Sequence, residues 1–295
     1  MRPNWIAALA CSALFLLAET TIGFARAQDA KLQPHDTRSS PLDLEVAGDL
    51  GGVQRGTTRY VTREELLSMS QAVTVSPDDG NFKSPSQVKG VPIEDLMRAL
   101  GAPAIDTAIA ICKDKYRGHY PRAYVTARHP VLVLELNGKP LSDSSKEGEG
   151  DDPGPYLIAH ANFKSVHAMR PYQDEPQIPW GVVRLEFRDE KEVFGAIAPH
   201  GPHTRDAGVQ DGFIIAQQNC FRCHNNGAEG GLKSGVTWTV LAAMAAGSPQ
   251  FFTEYVRDPK SKNPMTRMAA SAEYDDATMR SLVAYFQTFS PQEKP

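Results

Sequence analysis

The pentapeptide Cys220-Phe221-Arg222-Cys223-His224 decides how the rest of this 295-residue chain is interpreted. Two thiols separated by two residues, with an imidazole directly after the second, can share one helical turn. A structural zinc site would need four ligands, and the sequence has no second cysteine pair. A thioredoxin-like redox pair would need a βαβ context, whereas the residues around this motif follow a helical pattern.

The spacing fits instead the C-x-x-C-H signature of covalent haem attachment. Two thiols placed in this way can add to the two vinyl groups of one haem, and the adjacent imidazole then points at the iron. The sequence therefore predicts one covalent haem c, bound through Cys220 and Cys223, with His224 as an axial ligand of the iron.

The residues after Val209 carry the pattern of helices with long, irregular joins. Ser248 followed by Pro249 is an N-cap with proline at the first helical position. Asp275 caps a last helix, whose apolar residues repeat at i, i+3, i+4 and i+7. Such a chain suits an all-α domain wrapped around a large apolar cofactor.

A second axial ligand is suggested by residues 262–268, KNPMTRM, which lie between the last two predicted helices. This stretch resembles the N-P-x-T-[KR]-M loop of class I cytochromes c, and the resemblance extends over residues 209–290. It implies a cytochrome c domain in which Met268 is the distal ligand, with Met265 as the nearest competitor. His/Met ligation raises the reduction potential and leaves no open iron position, which favours electron transfer.

One detail departs from that family. Many members have a proline shortly after the glycine pair, where it helps to orient the haem histidine, but Leu232 and Lys233 follow Gly230 and Gly231 here. The resemblance therefore assigns no hydrogen-bond partner to the ring of the haem histidine. Trp238 is a candidate for an aromatic residue that packs on the haem.

The preceding part of the chain mixes strand and helix signals. Thr62 and Glu65 form a capping box before a short helix, and Pro92 opens a second one. Residues 131–136 form an apolar strand, and Asn137-Gly138 after it is typical of a tight turn. These signals predict an α+β domain with a mostly β core.

Residues 88–101, VKGVPIEDLMRALG, resemble a W-x-G-V-P-L-x-x-L-L-x-x-x-G stretch of the sulfite oxidase-like, molybdopterin-binding domain. Residues 137–141 resemble its N-G-x-P-L segment, and Trp180 resembles the start of its final strand. The resemblance covers about residues 42–188 and implies a sulfite oxidase-like fold.

The cofactor of those enzymes is not expected here. Cys112 falls where the family has its molybdenum-binding cysteine, but residues 113–116 replace the loop that follows, and the usual pterin-binding loops have no room. On an extended strand Lys113 would face away from Cys112, so Cys112 is interpreted as a small buried core residue. The remaining histidines of this region are interpreted as surface or core residues: His119, His129, His160 and His167.

The N-terminus has the features of an export signal. Arg2 precedes an apolar run, and residues 25–27 form an A-x-A cleavage site before Gln28. The predicted organisation is a signal peptide (1–27), a sulfite oxidase-like α+β domain (28–195), a linker (196–208) and an all-α cytochrome c domain (209–295). The predicted location is the periplasm, with no membrane span in the mature chain.

Three functions remain open. A net charge of −4 and an ordinary content of charged residues, 22%, do not indicate nucleic-acid binding. The favoured function is a periplasmic electron carrier whose first domain docks to a dehydrogenase or oxidase. The enzymatic alternative is a molybdenum-dependent dehydrogenase of a small oxyanion fused to its own cytochrome c, and a third possibility is a haem sensor.

Overall fold

The structure is a computed structural model that describes residues 31–102, 106–141, 154–163 and 176–290. Its N-terminal part, the sheet region, is built on one mixed β-sheet. The strands of this sheet are β1 (Leu44–Gly48), β2 (Arg59–Val61), β3 (Gln71–Val75), β4 (Ser86–Pro92), β5 (Thr107–Cys112), β6 (Arg117–Pro121), β7 (Pro130–Leu136), β8 (Lys139–Pro140), β9 (Tyr156–His160) and β10 (Trp180–Arg188). The helices of this region are α1 (Arg63–Met69), α2 (Ile93–Ala99), α3 (Arg122–Arg128) and α4 (Glu190–Gly195).

The order of the strands brings the ends of the sheet region together. The main path runs β2-β1-β10-β9-β7-β4-β3, β5 pairs with both β10 and β6, and β8 pairs with β7. Strand β1 runs parallel to β10, whereas the other ladders of this sheet are antiparallel. The first strand therefore pairs with the last one, and apolar side chains of both strands pack in the same buried core.

Local sequence signals account for several of these elements. The predicted capping box is confirmed, since the Glu65 N–H donates to the Thr62 hydroxyl and the Glu65 carboxylate accepts the Thr62 N–H. The turn between β7 and β8 has Asn137 and Gly138 at positive φ, 49° and 79°, as the predicted tight turn requires. The helix expected after Pro92 begins at Ile93.

The C-terminal part, the helical region, follows from residue 207 onward. Its helices are α5 (Ala207–Ile215), α6 (Trp238–Gly247), α7 (Pro249–Arg257), α8 (Pro259–Lys262) and α9 (Asp276–Gln287). A π-helical turn, Ala216–Cys220, continues α5, and a short ladder joins β11 (Asn225–Asn226) to β12 (Glu229–Gly230). The sheet and the helices together make the chain an α+β protein with more than one structural unit.

Helices α5 and α9 cross at a glycine. A Cβ atom on Gly212 would lie 2.0 Å from the Ser281 carbonyl oxygen and 2.7 Å from the Tyr285 Cβ, so a side chain at this position would force the helices apart. The N-cap predicted at Asp275 is confirmed, since its carboxylate accepts the Thr278 N–H at 2.7 Å. Ser248 and Pro249 begin α7 as expected.

The two regions share part of one core. Ile109 of β5 is fully buried in the apolar cluster of the helical region. Ile197, which lies in the segment predicted to be a linker, is also fully buried there, and its carbonyl accepts the Tyr285 hydroxyl at 2.5 Å. Within the described residues the predicted linker therefore begins inside the core.

No helix in the described ranges has the length and apolar character needed to cross a membrane. The signal peptide predicted at residues 1–27 and His167 both lie outside the described residues.

Candidate functional site

The attachment turn, residues 220–224, follows directly on the π-helical turn that extends α5. The backbone N–H groups of Cys223 and His224 both donate to the Cys220 carbonyl, at 3.1 Å and 2.9 Å. Both cysteines are half-buried thiols. The three residues expected to bind the haem and its iron are thus brought together on one turn. Single π turns of this kind are frequent at functional sites.

The imidazole of His224 is held by a backbone carbonyl. Its Nδ1 lies 2.7 Å from the Val236 carbonyl oxygen, so Nδ1 carries the proton and donates it, which leaves Nε2 as the nitrogen that can bind a metal. Burial lowers the pKa of His224, which favours the neutral form that metals require. This partner was not assigned from the sequence, because any residue type can supply a carbonyl.

The glycine pair after the motif is required by close packing. A Cβ atom on Gly231 would lie 1.9 Å from the Arg222 carbonyl oxygen. Gly230 has a φ of +88°, and a Cβ atom there would lie 2.5 Å from the His224 carbonyl oxygen. The chain can therefore return over the attachment turn only where these two side chains are missing.

The candidate distal methionines differ in burial. Met268 is half-buried and packs against the apolar cluster of the helical region, and its N–H donates to the Thr266 hydroxyl at 3.2 Å. Met265 is 87% exposed. This difference supports Met268 over Met265, and the ligand assignment stays a prediction.

Trp238 belongs to a cluster of aromatic side chains that includes Phe221 of the attachment turn and Tyr285. It is fully buried, and its indole N–H donates to the Tyr285 hydroxyl at 3.2 Å. Its ring lies edge-on to that of Phe221, with 5.5 Å between the centroids. Phe221, which lies between the two cysteines, therefore packs against this aromatic cluster.

The helical region also leaves large apolar side chains exposed. Of the large hydrophobic residues that are exposed in the described ranges, all except Trp180 lie in this region: Ile214, Leu232, Val236, Val240, Phe251 and Met265. Single exposed apolar residues are common on protein surfaces, whereas contiguous ones mark binding sites. The attachment turn itself offers two thiols and one available imidazole nitrogen, and this donor set fits a group that has two covalent attachment points and a metal.

Cys112 is 4% exposed and packs in the core of the sheet region, which confirms that it is a buried core residue. Burial raises the pKa of its thiol far above the ordinary range. The argument that Lys113 faces away from Cys112 on an extended strand is wrong, however, because β5 ends at Cys112. Residues 113–116 form a turn in which Lys115 has a φ of +70°.

His119, which the sequence analysis interpreted as a surface or core histidine, is a buried residue that borders the attachment turn. It is 1% exposed, and its ring stacks on Phe221 at 4.9 Å with an angle of 25° between the planes. Neither of its ring nitrogens has a hydrogen-bond partner among the described residues. Burial lowers the pKa of His119 to about 3. It is therefore a core histidine, whereas His129 is exposed at the end of α3.

We expect the substitution His119→Phe to reduce the pH dependence of stability. Between the folded pKa of about 3 and the ordinary value of 6.5, the unfolded chain binds a proton that the folded chain does not, so stability falls as the pH decreases. This residue should account for a loss of about 2 kcal/mol between pH 7 and pH 5. Urea unfolding at both pH values measures that loss. The exposed His203 offers the control His203→Phe, and an equal loss in all three proteins would contradict the prediction.

His160 belongs to a second buried polar group, in the sheet region. Its Nδ1 contacts the Asp79 carboxylate, and both side chains are completely buried. Its Nε2 lies 3.0 Å from the Tyr124 hydroxyl, and the Asp79 carboxylate also accepts the side-chain N–H of Asn81. This group satisfies the polar atoms of the core and confirms that His160 is a core histidine.

The chain is similar to a known protein over part of its length. No protein-family model matches the chain. The chain is similar to cytochrome c2 of Blastochloris viridis, with 30% identity over 91 residues, which are 31% of this chain and 55% of that protein. The chain thus spans about half the length of the curated relative that it matches. This similarity supports a c-type cytochrome region, whereas the resemblance to sulfite oxidase-like domains stays a prediction.

Proposed function

We propose that the chain is an electron-transfer protein whose helical region holds one covalent haem c. Cys220 and Cys223 are the attachment residues in this proposal, and His224 and Met268 are the axial ligands. The observation that carries it is the hydrogen bond from His224 Nδ1 to the Val236 carbonyl within a C-x-x-C-H turn. That bond orients the ring and prepares Nε2 for iron. The similarity to a cytochrome c2 supports the same proposal.

The residues of the chain act on the haem in distinct ways. The bound haem supplies a one-electron iron couple. The attachment turn fixes its position, and the Val236 carbonyl sets the tautomer of His224. A thioether ligand from Met268 would favour the reduced iron.

In this proposal the sheet region is a binding module that docks to a periplasmic dehydrogenase or oxidase, and the predicted export signal would direct the protein to the periplasm. Cys112 supports a role without molybdenum, because its side chain is 4% exposed and packs in the apolar core of the sheet region. The alternative, a molybdenum-dependent dehydrogenase, would give a molybdenum-to-iron ratio near one in protein from a host that makes molybdopterin.

The mass of the protein tests the attachment. The protein, produced in a host with cytochrome c maturation and then denatured, is expected to exceed the mass of its mature polypeptide by one haem. The double substitution Cys220→Ala with Cys223→Ala removes both sites for thioether bonds and should abolish the excess.

A matched control is Cys112→Ser, which changes the third cysteine of the described residues and should retain the haem mass. A wild-type mass equal to that of the bare polypeptide would contradict the proposed function.

A further inference from the structure

The sheet region makes direct contact with the attachment turn through the turn that joins β5 to β6, residues 113–116. The Arg117 N–H donates to the Arg222 carbonyl at 2.9 Å, and the Leu232 N–H donates to the Lys115 carbonyl at 3.0 Å. The first bond ends within the attachment turn, and the second involves Leu232, which directly follows the glycine pair that packs on this turn. The β5–β6 turn is therefore fixed against the place where the haem is attached.

A charge pair lies at this contact. The Lys233 ammonium is 2.5 Å from the Asp114 carboxylate, and the side chains are 37% and 45% exposed. The backbone beside Lys233 is tied to the attachment turn, because the Ser234 N–H donates to the Cys223 carbonyl at 3.0 Å. The charge pair and the attachment turn are therefore joined through neighbouring backbone positions.

Charges near a redox centre shift its reduction potential according to their sign. Reduction adds one electron to the iron, so a nearby cation stabilises the reduced state and raises the reduction potential, whereas an anion lowers it. The Lys233 cation belongs to the helical region, and the Asp114 anion that offsets it belongs to the sheet region. The potential then depends on the balance of the two.

We propose that Asp114 and Lys233 form a charge pair that sets the reduction potential of the haem. Asp114 is a positioning residue, because it holds the Lys233 ammonium beside the attachment turn and offsets its charge. This inference rests on the proposed function, since it requires a haem bound next to Cys223. It gives the sheet region a part in the electron-transfer site itself, in addition to any docking role.

The test is a spectroelectrochemical titration of the haem-loaded full chain at low ionic strength. Asp114→Asn is expected to shift the potential upward, because it leaves the cation without its anion, and Lys233→Gln is expected to shift it downward. The double variant should return close to the wild-type potential. Added salt should reduce both single shifts, because the charges are partly exposed.

The matched control is Asp95→Asn, which removes the anion of a similar pair with Arg98 on α2, 2.7 Å apart, and should leave the potential unchanged. Single variants that shift in the same direction, or by no more than the control, would overturn the inference. The mass of each variant is measured first. Haem-loaded variants without opposite shifts contradict this inference alone, whereas a wild-type chain without haem contradicts the proposed function as well.

Discussion

Replacing Met268 with alanine is expected to lower the reduction potential of the haem and to open the iron to carbon monoxide. The thioether sulfur stabilises the reduced iron, and its loss leaves one axial position for an external ligand. The decrease should be a sizeable part of the roughly 0.8 V range over which axial ligands set haem potentials. The sulfur-to-iron charge-transfer band of the oxidised protein should disappear at the same time.

Met265→Ala is the matched control, because Met265 lies three residues earlier in the same loop and is 87% exposed. It should leave the band, the potential and the carbon monoxide response of the wild type unchanged. Readily formed carbon monoxide adducts in the wild type would refute Met268 as a firm ligand. They would favour the haem-sensor function over electron transfer.

Replacing Asp79 with alanine is expected to cost about 3–5 kcal/mol of unfolding free energy. Its carboxylate accepts the His160 backbone N–H at 2.8 Å, contacts the His160 ring and accepts the Asn81 side-chain N–H. Both partners of the His160 pair are fully buried, so the substitution leaves donors in the core with nothing to bind. Urea denaturation followed by circular dichroism measures the change.

The neighbouring Asp78 provides the control Asp78→Ala, because its side chain is exposed and in the same short helical turn. That substitution should cost less than about 1 kcal/mol. Asp79→Asn, which keeps one acceptor oxygen, should fall between the two. Similar losses for Asp78→Ala and Asp79→Ala would show that the buried group contributes little to stability.

The features that could be predicted from the sequence are local ones. The attachment turn and the caps at Thr62 and Asp275 depend on residues within a few positions of one another, so their spacing carries the information. The choice of Met268 rested on a resemblance to a loop, and the burial of that residue supports it. The organisation into a sheet followed by helices was also visible, because the period of the apolar residues changes along the chain.

The features that could not be predicted join residues far apart in sequence. His119 stacks on Phe221, about a hundred positions later, and no pattern around His119 indicates this contact. The Asp79–His160 pair spans a similar distance. The prediction that Cys112 is a buried core residue was correct, but the argument for it was not. Side chains alternate between two faces only along a strand, and β5 ends at Cys112.

The position of Ile109 has an evolutionary consequence. This residue belongs to a strand, yet its side chain is part of the apolar cluster of the helical region, which also includes Ile197. The helical region is therefore poorly suited to transfer between proteins as an independent domain. A gene fusion that joined it to a different sheet would need a matching apolar residue at both places, so the two halves are constrained to change together.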